Sequence, residues 1–226
     1  MNPPPPVDIA IAALRWVEYA GLMGFIGVVV IRRLAAMRPA INWARPSMLP
    51  ALVAACGGGV AVVAAEALRA GHASIAIALP LAGHAALANP AAGAIFTDVI
   101  HVLSAGAWAG GILVLGTLRP PAGWGGEEGR ALIVRFGRVA FLAFAITALT
   151  GVLRAAGGLR GIEDLWATPY GVVLVLKTAG VLVMVAMSAV MSARGMRFAR
   201  AEGVVALLVL AATAVLAAFP MPPAQA

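Results

Sequence analysis

Between Ile9 and Ile31 the chain carries only two charged residues, Arg15 and Glu18, and comparable apolar runs recur along its length. They fall at about 48–68, 73–88, 97–118, 134–153, 170–193 and 204–219. Most approach the roughly 20 residues that a helix needs to cross a hydrocarbon core. Nothing else in the sequence constrains the fold as tightly. Backbone in lipid must satisfy its own N–H and C=O groups, which leaves helices and closed barrels. Ala, Val, Leu and Gly dominate without period-two alternation. The runs therefore predict an all-α, polytopic transmembrane helix bundle of about seven spans. The charged fraction is 11%, against about 25% in soluble domains, and the mean hydropathy is +0.98.

Charge placement bears on orientation and partners. All but one of the 16 basic residues are arginine, and most sit in short loops. Basic residues there set membrane orientation, so the expected partner is the lipid bilayer and not nucleic acid. Arg119, Arg130, Arg135 and Arg138 flank one loop, and Arg194, Arg197 and Arg200 fill another. A third loop balances Arg154 and Arg160 against Glu163 and Asp164. The positive-inside rule puts the first two in the cytoplasm and the third outside, with residues 89–96 also outside. The front half conflicts with this. Arg32, Arg33, Arg38 and Arg45 fill a loop that becomes external if runs 48–68 and 73–88 both cross. Gly57-Gly58-Gly59 predicts a kink or local unwinding in the second run. The single cysteine, Cys56, leaves no intrachain disulfide and no CxxC motif. MNPPPPVDIA has no basic residue before the first apolar run and does not read as a cleaved signal peptide.

The candidate chemistry centres on GHAALANPAAGAIFTDVIHVLSAGAWAGG, Gly83 to Gly111. His84 closes one apolar run and His101 opens the next, so a hairpin through Asn89-Pro90 brings both to one membrane surface. Asp98, His101 and Trp108 share a helical stripe. Neutral imidazoles suit Cu(II), and a carboxylate adds charge or orients an imidazole, so His84, His101 and Asp98 form a candidate metal set. The alternative is that all three cap helix ends beside the turn. His72 lies twelve residues before His84, about 18 Å away on a continuous helix, too far to share an ion. It is either an exit ligand at the opposite face or a plain loop residue. Met184, Met187 and Met191 line one helical face, either as a thioether relay for Cu(I) or as gap-filling packing. Lys177 and Arg154 read as structural charges, with Glu163 or Asp164 as ion-pair partners. Gly106 and Gly110 form a G-x-x-x-G helix contact, and Trp108, Trp124 and Trp166 read as interfacial anchors.

The ordered series GHA…D-x-x-H…W-x-G-G, then RFGRVAFLAFAITALTGVLRA with its Thr150-Gly151 pair, then TPYGVVLVLK, resembles the copper resistance D (CopD) family of bacterial inner-membrane proteins. Arg200, Glu202 and the closing Pro220 to Pro223 fit as well. The resemblance covers residues 80–223, a CopD-like membrane domain. Residues 1–79 are N-terminal membrane helices that match only loosely. Family members typically have eight spans, so the chain is expected to be shortened near its front. The sixth span often ends in Asn-Arg in that family, where this chain has Ser192-Ala193-Arg194.

The resemblance implies a multi-pass protein of the bacterial inner membrane that takes up copper, with copper ion as its ligand. It also implies a periplasmic copper-binding partner of the CopC type. Two other readings stay open: a haem-binding electron carrier with His84 and His101 as axial ligands, and a non-transporting subunit that docks a periplasmic partner. Three histidines allow at most one bis-histidine haem. No nucleotide-binding GxxxxGK[ST] is present, nor a Ser-His-Asp set, HExxH or paired catalytic carboxylates, so enzymatic catalysis is not expected.

Overall fold

A computed structural model of the chain describes residues 8–70, 91–158, 161–194 and 199–218. Every regular element among them is helical. The long elements are α1 (Ile9–Ala36), α2 (Leu49–Ala70), α3 (Ala91–Ala105), α4 (Gly111–Thr117) and α5 (Glu127–Gly158). A short α6 (Asp164–Ala167) precedes α7 (Pro169–Arg194) and α8 (Ala199–Ala218). A π-helical turn, Gly106–Gly110, joins α3 to α4 in one continuous rod.

Among the described residues four helical stretches are long and apolar enough to cross a membrane: Ile9–Ala36, Ile95–Thr117, Glu127–Leu153 and Pro169–Ser188. Leu49–Ala65 and Val204–Val215 are shorter apolar helices. The chain is therefore a helical membrane protein, and six long rods stand among the described residues where about seven spans were expected. The expected run at 73–88 lies outside them. Large apolar side chains face outward, among them Val60, Phe141 and Leu149, each at least 64% exposed. In water such exposure would be costly, whereas in lipid it loses nothing.

Small residues draw α1 against its neighbours. The α1–α2 pair runs antiparallel, with Gly21 against the backbone of Ala54 and Ala55 and Gly58 against Glu18. A Cβ at Gly58 would lie 2.6 Å from the Glu18 nitrogen. The triple glycine does not unwind the helix: α2 runs on through Gly57-Gly58-Gly59. In lipid an unwound turn would strand its N–H and C=O groups, so the glycines serve close approach and the helix persists. On another side of α1, a Cβ at Gly27 would collide with the carbonyl of Gly110, and one at Gly110 with the carbonyl of Met23. The wide π turn coincides with this backbone-to-backbone crossing.

Arg135 on α5 determines which loops share a face. Its guanidinium donates to the backbone carbonyls of Leu34 (2.9 Å), Met37 (3.1 Å) and Pro39 (2.9 Å). The Trp43 indole donates to Glu128 at 2.7 Å and packs edge-on to Trp124. The loop after α1 and the loop before α5 therefore lie together. This resolves the orientation conflict of the front half, because Arg32, Arg33, Arg38 and Arg45 join Arg119, Arg130, Arg135 and Arg138 at one arginine-rich face. Both α2 and the α3–α4 rod have their other ends, Ala70 and Ala91, toward the opposite face. The buried core lies nearer the arginine-rich side, around Ile31, Leu34, Ile41, Ile112, Leu132 and Phe136.

Candidate functional site

The α3 helix begins at Ala91, earlier than the apolar run suggests. Ten residues separate that start from His101, which therefore lies about 15 Å along the helix. His101 is thus inside the span from Ile95 to Thr117, in the third nearer the face opposite the arginines. The hairpin expected through Asn89-Pro90 lies outside the described residues. It is half-buried, as is Asp98 one turn earlier on the same rod. Ionisable groups at such depth are costly and commonly carry function.

The α5 helix supplies the ring's support. The Nδ1 atom of His101 lies 2.8 Å from the Thr150 hydroxyl oxygen. Thr150 is buried, and its hydroxyl sits 2.7 Å from the Ile146 carbonyl and 3.1 Å from that of Thr147. A hydroxyl has one proton, so Thr150 either accepts from His101 Nδ1–H while donating to one of these carbonyls, or donates to a bare Nδ1. In the first arrangement a neutral ring would carry its lone pair on Nε2, as where a histidine ligates a metal through that atom. The ring edge rests on Gly151, whose missing side chain would lie 3.5 Å from Cε1. The Thr150-Gly151 pair of the sequence motif thus forms the seat of the imidazole.

A second rung lies below. The Thr147 hydroxyl lies 2.8 Å from both the Ser104 hydroxyl and the Ala143 carbonyl, and Ser104 donates to the His101 carbonyl at 3.1 Å. Ser104 is buried. Below that again, Trp108 packs edge-to-face on Phe144, with ring centroids 4.8 Å apart. His101, Ser104 and Trp108 therefore all face α5. Trp108 is only 5% exposed, so it is a core residue and not the interfacial anchor expected from its type. Trp166, within α6 and 66% exposed, does fit an anchor. Sequence reasoning missed the roles of Ser104 and Thr147. The available signal was polar residues recurring at i+3, Ser104 after His101 and Thr150 after Thr147.

The other candidates are spread over the molecule. His84 and His72 lie outside the described residues. Met184 is fully buried within the core shared by α7 and α8, at 1% exposure, and Met187 is half-buried one turn on. Met191 and Arg154 belong to α7 and α5, with side chains outside the described set. Lys177 is half-buried two turns into α7. Among the described residues no three His, Cys, Asp or Glu side chains gather into a metal-binding group. What they do contain is one oriented imidazole, a carboxylate a turn away, and a hydroxyl ladder tying both helices together.

Comparison with known proteins adds no assignment: the chain matches no family model, no curated protein and no solved structure.

Proposed function

We propose that this chain is a copper transport or tolerance protein of the bacterial inner membrane, taking up the ion from an external site at His101, Asp98 and His84. The observation that carries the reading is the 2.8 Å hydrogen bond between His101 Nδ1 and the Thr150 hydroxyl. It orients the imidazole inside a helix long and apolar enough to span a membrane, and with Nδ1 as the donor the Nε2 lone pair would be the copper ligand. The ordered CopD-like motifs, from Gly83 through Lys177, supply the choice of metal. Under the positive-inside rule the arginine-rich face is cytoplasmic, which puts His101 in the external half of its span. Met184, Met187 and Met191 on α7 are the thioether positions that would suit a reduced ion farther in. A periplasmic copper-binding protein of the CopC type would deliver the cargo.

Transport is tested by copper entry into proteoliposomes that hold the purified chain and a trapped copper-sensitive dye. Wild-type protein is expected to pass copper well above empty vesicles, and His101→Ala is expected to fall to their rate. Equal entry with and without protein would sink the transport reading.

A further inference from the structure

We propose that the cleft at the end of α1, where Arg32, Arg33 and Arg45 converge with Asn42, binds the phosphate of an anionic phospholipid. This reading is independent of the copper site. The cleft has a volume of about 510 Å³, within the roughly 300–1,000 Å³ of small-ligand sites. Its lining holds three guanidinium groups and one carboxamide, and no carboxylate. The remaining lining is apolar, including Val29, Ile41 and Met48. Cationic mouth and apolar wall match the two parts of a phospholipid, a phosphodiester and the start of an acyl chain. The location agrees, because α1 leaves the apolar region at Ile31 and the guanidiniums follow at once.

The Arg32 and Arg33 guanidiniums are available, and Arg45 is held by its neighbour. Among the described residues Arg32 and Arg33 make no side-chain hydrogen bond or ion pair, and both are exposed. The carbonyls at the end of α1 would otherwise attract them, but Arg135 already bonds Leu34, Met37 and Pro39 from the far side. Arg45 is steadied by Asn42, its Nη2 donating to Oδ1 at 3.0 Å. The loop itself is anchored: Ile41 and Ala44 are buried, and Trp43 is tied to Glu128. The planar Arg45 guanidinium on an anchored loop, beside those of Arg32 and Arg33 at the end of α1, suits the paired oxygens of a phosphodiester.

The test titrates the full chain in detergent with dioctanoyl phosphatidylglycerol, dioctanoyl phosphatidylcholine and inorganic phosphate. Retention is read by native mass spectrometry and thermal midpoint. One phosphatidylglycerol per chain is expected, about tenfold tighter than phosphatidylcholine. Arg33→Gln/Arg45→Gln should erase that preference, while Arg38→Gln, outside the cleft, should keep it. Circular dichroism and wild-type thermal midpoints without lipid establish that the variants are folded. If the double variant fails to fold, Arg32→Gln alone should lower the preference several-fold. Equal retention of both lipids, or equal loss in Arg38→Gln, overturns the proposal. A midpoint shift with inorganic phosphate but no lipid preference also overturns it, leaving a free-anion site.

Discussion

Replacing Thr150 with valine keeps the side-chain volume and removes its oxygen. The native hydroxyl lies 2.8 Å from His101 Nδ1 and 2.7 Å from the Ile146 carbonyl. The Ile146 carbonyl keeps its helical bonding, so the main casualty is the buried end of the imidazole. Interhelical hydrogen bonds in membrane proteins contribute about 0.6 kcal/mol on average and at most about 1.7 kcal/mol. Thr150→Val should therefore lower stability by about 1 kcal/mol and leave the chain folded. The effect on metal should be larger. Removing the group that orients a ligating histidine typically costs about 10–100-fold in affinity, or about 1.4–2.8 kcal/mol. Competition of the detergent-purified protein against a chelator of known copper affinity measures this. Thr150→Ser keeps the oxygen and should stay within about threefold of wild type, while Thr147→Val, one rung away, should cost less than Thr150→Val. Wild-type copper affinity in Thr150→Val would refute the argument that Thr150 fixes the ring, and so would an equal loss in Thr147→Val.

Other substitutions probe the frame. Gly110→Ala places a methyl on the Met23 carbonyl, and because backbone is the obstacle the cost should reach the upper part of the 1–3 kcal/mol overpacking range, about 3 kcal/mol, seen as a lower thermal midpoint. Arg135→Lys keeps the charge but loses the planar fork across three carbonyls, so chymotryptic cleavage after Trp43 should become several-fold faster with little change elsewhere. In a Cys56→Ser background, Ser47→Cys and Ala122→Cys should react with an impermeant maleimide from one side of the membrane, and Ile162→Cys from the other. Labelling of Ser47→Cys and Ala122→Cys from opposite sides would contradict the shared arginine-rich face.

The helical architecture was legible because hydropathy and length act locally: α5, α7 and α8 extend each apolar run by a few residues at one or both ends. Features set by contacts between distant segments were not legible. The side taken by the Arg32–Arg45 loop depends on Arg135, about a hundred positions away, bonding carbonyls that every sequence possesses. Gly57-Gly58-Gly59 reads as a helix breaker by local propensity, yet lipid offers its amides no other partner and Glu18 packs where Gly58 has no side chain. Trp108 resembles an interfacial anchor by type, but the π turn and Phe144 keep it inside. At the candidate site, Asp98 and His101 were visible as an i, i+3 pair. The Thr150 seat was visible only as part of a motif, since its role arises where α5 meets α3.

The central claim is that His101 helps to bind copper, and the most direct measurement is metal content with the visible spectrum of the purified chain, wild type beside His84→Ala/His101→Ala. The account predicts close to one copper per wild-type chain, loss of it in the double variant, and no Soret band. A Soret band that disappears in the variant would make the ligand haem. Neither copper nor haem after copper loading would contradict the claim and leave His101 a structural residue seated on Thr150.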